Sequence, residues 1–221
     1  MFNVAIDGPA GAGKSTIAKM VAKKLGFTYV DTGSMYRAMA LACIRAGVAS
    51  TDEEAVCKVC ADLDVSLEYD ENGVQQVILN GENVNGYIRT EEVGNMTSAI
   101  AVYGPVREKL VELQRKLGTK YDVIMDGRDI GTCVLKDAPV KIYLTASSRT
   151  RAERRYKELV EKGVECNLDD IEKDIIDRDY RDMNREISPL KQAEDAILVD
   201  SSNMGIEEVV NTLVKIIEDA R

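Results

Sequence analysis

The sequence contains no histidine, and this absence excludes several classes of enzyme. Ser-His-Asp hydrolysis and Cys-His proteolysis both need an imidazole as the base. The common zinc enzymes use histidine as a metal ligand. Any chemistry of this chain must therefore rest on carboxylates, lysine, arginine and a bound metal ion.

The sequence also lacks a long apolar run, and no basic leader precedes an apolar stretch at its N-terminus. We therefore expect no membrane span and a cytoplasmic protein. The net charge of −9 argues against a general role in coating nucleic acid or an anionic membrane. We expect small molecules as partners, and a monomer.

The five cysteines are odd in number and unevenly spaced, which is not the pattern of a disulfide framework. Cys57 and Cys60 form a C-x-x-C motif inside a helical pattern. Neither a second pair nor a histidine is present to complete a zinc site. We interpret these cysteines as helix-face residues without redox or metal function.

Strand-like and helical patterns alternate along the 221 residues, which predicts one α/β domain with an open parallel sheet and helices on both faces. Strands are expected over 2–7, 27–31, 121–126, 140–144 and 196–200. Helices are expected over 15–26, 33–44, 52–63, 90–102, 105–117 and 206–217.

Two appendages interrupt this alternation. The turn sequence Asp70-Glu71-Asn72-Gly73 separates the strand-like runs 65–69 and 74–79, which predicts a β-hairpin within an inserted lobe over about 63–102. Two highly charged helices are expected over 148–162 and 168–185, on either side of Gly163.

The segment Gly8-Pro9-Ala10-Gly11-Ala12-Gly13-Lys14-Ser15 fits the phosphate-loop pattern G-x-x-x-x-G-K-[ST] at every position. The small residues let the backbone N–H groups converge on phosphate oxygens, Lys14 adds positive charge, and Ser15 offers a hydroxyl to Mg²⁺. The apolar strand before the loop and the amphipathic helix after it supply the context that the motif requires. The alternative is a glycine-rich turn that binds nothing.

Arginine is concentrated in the two charged helices of this acidic chain. The first helix carries Arg149, Arg151, Arg154 and Arg155, and the second carries Arg178, Arg181 and Arg185 at helical spacing. One interpretation is a pair of solvent-exposed helices whose side chains form salt bridges. Beside a phosphate loop we favour a catalytic lid over about 149–185, because guanidinium groups grip phosphate and a lid excludes water.

Two further loops follow predicted strands. Asp126-Gly127-Arg128-Asp129 is expected to border the phosphate loop, with Asp126 holding a magnesium-bound water and Arg128 a second phosphate group. Asp31-Thr32-Gly33-Ser34-Met35-Tyr36-Arg37 is expected to bring Arg37 toward the same crevice. The alternatives are a turn in which Arg128 pairs with neighbouring carboxylates, and a capped helix with a surface arginine.

Together these motifs resemble a nucleoside monophosphate kinase, and most closely the bacterial cytidylate kinase family. The similarity spans nearly the whole chain and also includes the segments 88–93, 106–108, 130–132, 138–144, 178–185 and Pro189-Leu190. The Asp-Gly-Arg-Asp loop and the Arg-Asp repeat of 178–182 are more specific than the phosphate loop alone. The resemblance implies transfer of the terminal phosphate of ATP to CMP or dCMP, with Mg²⁺.

The resemblance also implies roles for individual residues. The inserted lobe over 63–102 would bind the monophosphate, and the metal would be held by Ser15 and Asp126. ATP would be bound by Gly8, Pro9, Ala10, Gly11, Ala12, Gly13, Lys14, Ser15, Thr16 and Arg151. Catalysis would rest on Lys14, Arg128, Arg155 and Arg185, with Arg149 and Arg154 as competing candidates for the lid positions.

The acceptor nucleotide has its own set of matching positions. Cytosine would be recognised by Ser98, Arg107 and Asp129. The acceptor phosphate would meet Thr32, Arg37, Arg128 and Arg185, and the sugar would lie near Arg178 and Asp182. Thr32 departs mildly from the family pattern, where many relatives carry serine, since either hydroxyl can donate to phosphate.

Three other functions remain open at this point. A kinase for AMP, UMP or a nucleoside would share the phosphate loop. A GTP-dependent switch is disfavoured because the sequence lacks the Asn-Lys-x-Asp motif, which binds guanine in the common GTPases. A nucleotide-binding protein without catalysis is disfavoured by Lys14 and the arginines.

Overall fold

The computed structural model describes residues 1–221 and contains eight strands and eight α-helices. The strands are β1 (Asn3–Asp7), β2 (Thr28–Asp31), β3 (Val65–Tyr69), β4 (Gln75–Leu79), β5 (Glu82–Asn83), β6 (Val123–Gly127), β7 (Val140–Thr145) and β8 (Ile197–Asp200). The helices are α1 (Lys14–Leu25), α2 (Thr32–Arg45), α3 (Glu53–Ala61), α4 (Glu91–Ile100), α5 (Gly104–Lys120), α6 (Ser148–Glu161), α7 (Leu168–Asn184) and α8 (Ile206–Asp219).

These elements confirm the alternation read from the sequence, with ends that lie within three residues of the expected ones. Five strands form one sheet in the order β2-β6-β1-β7-β8. The central strand β1 pairs in parallel with β6 and β7, and β7 pairs in parallel with β8. The prediction of an open parallel sheet in an α/β fold is therefore confirmed.

The chain divides into two compact units, and the boundary falls inside β2. The first unit is Val30–Tyr121 with Met1, and the second comprises Phe2–Tyr29 and Asp122–Arg221. The range expected for the inserted lobe lies within the first unit, and the range expected for the lid lies within the second.

The core of the second unit forms where α1 and α8 pack beside each other on the sheet. Val21 of α1 and Leu213 of α8 are completely buried, as are Ile124 of β6 and Leu144 of β7. The apolar spacing of α8 predicts this packing, since a helix with one apolar stripe must bury it. None of the helices is both long and apolar enough to cross a lipid bilayer.

The core of the first unit joins α2, α3, α4 and α5 to an antiparallel sheet of β3, β4 and β5. The hairpin expected from Asn72-Gly73 is confirmed: β3 and β4 are antiparallel, and Gly73 has a left-handed φ of 71°. Asp70 closes the turn, because its Oδ1 accepts from the backbone N–H groups of Asn72 and Val74 at 2.9 Å each.

Two short elements were not expected from the sequence. Strand β5 has only two residues, too few to show an alternating pattern. The other is a π-helical turn over Ile130–Val134. It is closed by backbone hydrogen bonds from Val134 to Asp129 and from Leu135 to Ile130, at 3.3 and 2.7 Å.

The cysteines of the C-x-x-C motif lie on α3, as expected. The side chain of Cys60 is buried in the core of the first unit, where its Sγ lies 3.7 Å from the Sγ of Cys43 on α2. All five cysteines are free thiols.

The approach of the loop after β1 to β7 requires a glycine. Gly8 has a φ of 151°, and a Cβ at this residue would lie 2.0 Å from the carbonyl oxygen of Leu144. Both the backbone conformation and the contact therefore exclude any larger side chain.

We predict that Gly8→Ala lowers the free energy of unfolding by at least about 3 kcal/mol, because strain and overlap with backbone act together. Urea denaturation checks this prediction. Gly86→Ala is the matched control, because a Cβ at Gly86 meets open space. Equal stability of the two variants would contradict the close approach.

Candidate active site

The phosphate loop, defined as Gly8–Ser15, connects β1 to α1 and curls as the motif predicts. Gly11 and Gly13 have left-handed φ values of 74° and 84°, which glycine adopts without strain. The backbone N–H groups of Gly11, Ala12 and Gly13 have no acceptor within the chain. They stand at the N-terminus of α1, where the helix dipole favours an anion.

The ammonium group of Lys14 is buried beneath this loop. Its Nζ donates to the carbonyl oxygens of Gly8 and Pro9, at 2.8 and 2.7 Å. Burial, together with the positive charge of Arg128, lowers the pKa of Lys14 well below its ordinary value, and the charges of Asp126 and Asp7 oppose this shift. Lys14 therefore shapes the loop as well as adding charge to it.

Ser15 and Asp126, the two residues expected at the metal, are in direct contact. The hydroxyl of Ser15 donates to Oδ2 of Asp126 at 2.8 Å, and the hydroxyl of Tyr29 donates to Oδ1 at 2.6 Å. Hydroxyl and carboxylate oxygens suit Mg²⁺, which is usually held by few protein ligands and by substrate phosphates. No cluster of three carboxylates or thiols that could form an all-protein metal site is present. The pair therefore fits a magnesium site of the nucleotide-bound type.

Three arginines surround the carboxylate of Asp182 at the C-terminal end of α7. Arg128 donates from Nε to Oδ2 of Asp182 at 2.9 Å. Burial by itself would raise the pKa of Asp182, but the charges of Arg128, Arg178 and Arg185 lower it below its ordinary value. Arg185 also lies 3.7 Å from Oδ1 of Asp129. The structure thus brings together the five expected acceptor residues of the second unit.

The remaining four acceptor candidates lie in the first unit. Thr32 is buried at the start of α2. Arg37 on the same helix donates to the carbonyl oxygen of Ile88 at 3.0 Å. Its guanidinium lies 3.5–3.9 Å from the place where Gly94 would carry a Cβ, so this glycine makes room for it. Ser98, one turn later on α4, donates to the carbonyl oxygen of Gly94 at 3.3 Å.

Arg107 on α5 is almost completely buried, with 3% of its surface exposed. It donates to the carbonyl oxygen of Ala101 at 3.1 Å, and its guanidinium lies 5.6 Å from the centre of the Tyr36 ring. A buried arginine over an aromatic ring is oriented by its surroundings before any ligand arrives.

The four arginines of α6 have different environments. Arg151 is buried and lies against the phosphate loop, where it donates to the carbonyl oxygen of Ala10. Arg155 is exposed and pairs with Glu158 at 2.8 Å. Arg149 pairs with Asp169 and Glu172 of α7, and Arg154 donates to the backbone of Ser201.

Asp7 is a buried group at this site that the sequence analysis did not single out. It ends β1, and its two carboxylate oxygens accept from the N–H groups of Ile130 and Gly131 at 2.8 and 2.7 Å. Asp7 therefore binds the first two N–H groups of the π-helical turn and holds the loop that carries Arg128 and Asp129. A polar residue closing a buried strand was the only signal in the sequence.

Tyr29 and Asp179 were also missed. Tyr29 shows only as an aromatic residue within a predicted strand, although its hydroxyl orients Asp126. Asp179 shows only as one of many acids on a charged helix, although its side chain is buried.

Comparison with known proteins points to one family. A family model described as "Cytidylate kinase" matches residues 4–219. A protein named "Cytidylate kinase" from Clostridium perfringens strain SM101 is 50% identical over 218 residues, covering 99% of this chain and 98% of the relative. The protein of the same name from Clostridium acetobutylicum is 52% identical over 216 residues, covering 98% of this chain and 97% of the relative.

Solved structures support the fold. The chain is similar to a shikimate kinase from Bacteroides thetaiotaomicron, with a TM-score of 0.50 and 13% identity over 98% of each chain. It is also similar to an uncharacterized protein from Eubacterium ventriosum, with a TM-score of 0.51 and 12% identity over 99% of each chain. At this identity the likeness concerns the fold alone.

The environment of Asp7 leads to a prediction about pH. Burial raises the pKa of Asp7 to about 6, against the lowering effect of the two N–H groups. The charge of Asp129 also raises it, and the charge of Lys14 lowers it. Because the folded pKa exceeds the unfolded value of 3.8, the folded protein binds more protons between these two pH values. The contribution of Asp7 to stability therefore falls as pH rises from about 4 to about 6, and then stays constant.

We expect the stability of Asp7→Asn relative to the unaltered protein to increase over this pH range, by on the order of 2–3 kcal/mol. Urea denaturation of both proteins at several pH values from 4 to 7 measures the difference, in which the titrating groups that do not interact with Asp7 cancel. A difference that does not change with pH, or that changes in the opposite direction, would contradict the raised pKa.

Proposed function

This chain belongs to the cytidylate kinase family and is an enzyme that transfers the γ-phosphate of ATP to CMP or dCMP, and we propose that the residues described above bind its two substrates and the metal. The observation that carries the activity is identity of about half the residues over nearly the whole chain. The products are ADP and CDP or dCDP.

The donor phosphates are proposed to lie on the N–H groups of Gly11 to Ser15. These groups converge at the N-terminus of α1, so that an anion there meets several donors and the positive end of the helix at once. The ammonium of Lys14 has three N–H donors, and two are used on Gly8 and Pro9. The third is available to the phosphate that is transferred.

Ser15 and Asp126 are proposed to hold Mg²⁺, Ser15 through its hydroxyl and Asp126 through a bound water. The hydrogen bond between them keeps both oxygen groups side by side, and Tyr29 fixes the second carboxylate oxygen. When bound, the metal would neutralise charge on the donor phosphates.

Arg128 and Arg185 of the second unit are proposed to neutralise the acceptor phosphate, and the resemblance gives the same role to Thr32 and Arg37. The ion pair with Asp182 holds Arg128 in place before substrate binds, which removes the cost of ordering it. Asp182 and Arg178 are proposed to contact the sugar.

Cytosine is proposed to be recognised by Ser98, Arg107 and Asp129. The hydroxyl of Ser98 and the guanidinium of Arg107 are donors, and the carboxylate of Asp129 is an acceptor. Cytosine carries both an amino donor and carbonyl and ring-nitrogen acceptors, so the set is complementary to it. A site that leaves polar groups unpaired with the wrong base discriminates strongly.

Arg155 is proposed to reach the transferred phosphate when the lid closes. Its exposed pair with Glu158 is of the kind that contributes little to stability, so exchanging it for phosphate costs little. Closure would expel water that would otherwise hydrolyse ATP. No general base is required, because the acceptor phosphate is already an anion at neutral pH.

We also propose that the inserted lobe is the monophosphate-binding part of one functional domain. A monomeric state is proposed as well. The substrates, which are free nucleotides, point to the cytoplasm.

The acceptor screen is the experiment that tests the proposed recognition of cytosine. Purified protein is given ATP, Mg²⁺ and one of CMP, dCMP, AMP or UMP, and ADP release is measured. We expect kcat/KM for CMP and dCMP to exceed that for AMP and UMP by at least about a hundredfold. The wrong base leaves polar groups of the site without hydrogen-bond partners, which costs several kcal/mol of binding free energy. A preference for AMP would overturn the cytosine assignment. In a parallel reaction with GTP in place of ATP and GDP release measured, slow hydrolysis that CMP does not change would indicate a switch.

Arg128→Ala is expected to lower kcat by about 10²–10³-fold, the usual cost of losing one group that stabilises transferring charge. ATP affinity should stay within about threefold, and the fold should survive because Arg178 and Arg185 still offset the charge of Asp182. Steady-state kinetics and ATP titration measure both quantities.

Arg45→Ala is the control, because it removes an arginine from an exposed ion pair with Glu82 and should leave kcat unchanged. If Arg128→Ala instead lost folded protein in a thermal melt in proportion to its activity, Arg128 would have a structural role.

A further inference from the structure

Arg151 and Asp179 together enclose one residue of the phosphate loop. Arg151 Nη1 donates to the carbonyl oxygen of Ala10 at 2.7 Å and lies 2.6 Å from Oδ2 of Asp179. Oδ1 of Asp179 accepts from the N–H of Ala10 at 3.1 Å. Both polar backbone groups of Ala10 are therefore bound by one ion pair, whose members come from α6 and α7.

The pair is built into the protein and is not a surface contact. The side chains of Arg151 and Asp179 are 7% and 11% exposed. Arg151 Nε donates in addition to the carbonyl oxygen of Ala146 at 2.9 Å. A buried pair whose hydrogen-bonding groups are met in this way has a defined geometry, whereas an exposed pair does not.

This contact determines where the next N–H group points. In a trans peptide the carbonyl of one residue and the N–H of the following residue point in opposite directions. When Arg151 holds the Ala10 carbonyl on the side of α6, the N–H of Gly11 must face the other side. With the loop as the proposed ATP site, that side is the one on which the donor phosphates would lie.

The preceding peptide group follows the same rule. The carbonyl of Pro9 is held by Lys14, and the N–H of Ala10 points the opposite way, to Asp179. Gly11 also packs closely, because a Cβ there would lie 3.4 Å from Cβ of Arg151 and 3.8 Å from Cδ1 of Ile175. The loop is thus positioned from one side by Lys14 and from the other by α6 and α7.

We propose that Arg151 and Asp179 are positioning residues that hold the Ala10 peptide groups, so that the Gly11 N–H faces the donor phosphates. The proposal rests on the proposed function of the loop as the ATP site. It replaces the direct contact between Arg151 and ATP expected from the sequence with an effect through the backbone. It also links the lid helices to the donor site.

A substitution at Asp179 distinguishes a direct contact between Arg151 and ATP from an effect of Arg151 through the phosphate loop. If Arg151 touched ATP directly, removing the neighbouring carboxylate would leave ATP affinity unchanged or increase it, because like charges repel. If the pair acts on the loop, replacing the carboxylate by an amide breaks the ion pair at Oδ2, so that Arg151 no longer holds the Ala10 carbonyl in place and ATP affinity falls.

The experiment compares Asp179→Asn with Glu172→Gln. Both substitutions neutralise a carboxylate of α7 that pairs with an arginine of α6, but Glu172 pairs with Arg149 and contacts no part of the phosphate loop. Calorimetry measures the Kd of ATP with Mg²⁺ in the absence of acceptor, and steady-state kinetics give KM for ATP and for CMP. We expect Asp179→Asn to raise the Kd and KM of ATP about tenfold and to leave the KM of CMP within twofold. Glu172→Gln should change none of these three constants by more than about twofold.

Unchanged or tighter ATP binding by Asp179→Asn overturns the proposal, and so does an equal loss in Glu172→Gln. If Asp179→Asn fails to fold, Arg151→Lys decides, because lysine keeps the charge but cannot reach Ala10, Ala146 and Asp179 together. It should also raise the Kd of ATP about tenfold, and an unchanged Kd overturns the proposal. If the unaltered protein failed to phosphorylate CMP while the ATP differences held, the proposed function would fail and the positioning role would stand.

Discussion

The structure depends on the direction of a few peptide groups in the phosphate loop. A polyphosphate can bind there only if N–H groups face it and the carbonyl oxygens either point away or are bound by a donor, since carbonyl oxygens repel anions. Lys14 holds two of these carbonyls. Gly8, Gly11 and Gly13 allow backbone angles that other residues rarely adopt. The approach of Gly8 to β7 and the packing of Gly11 on α6 and α7 follow from this requirement.

A second constraint is charge. The chain has a net charge of −9, yet it must bind two anionic nucleotides. The structure meets this requirement by placing arginines beside carboxylates away from bulk solvent: Arg128 and Asp182 form a partly buried pair, and Arg151 and Asp179 form a buried one. Each pair offsets the cost of removing a charge from water and fixes the direction of a guanidinium. Pre-oriented charge of this kind is what phosphoryl transfer needs, because positioning and electrostatic stabilisation supply most of its catalysis.

Much of the fold and part of the site could be predicted from the sequence. The phosphate loop, the hairpin at Gly73 and the pairing of Ser15 with Asp126 have local or motif-based signals. Asp7 and Asp179 have only unspecific signals, because their partners are backbone groups 123 and 169 residues away. The sequence shows that four arginines cluster on α6, but it could not show that Arg151 would be buried against Ala10 while Arg155 stays exposed. That difference depends on tertiary packing.

The most direct test of the account is calorimetric titration of CMP into the protein in the presence of a nonhydrolysable ATP analogue and Mg²⁺. The account predicts heat with a stoichiometry of one CMP per chain. It also predicts that binding weakens as salt is added, because arginines meet a phosphate. No heat, or binding that is indifferent to both the phosphate group and salt, would contradict it.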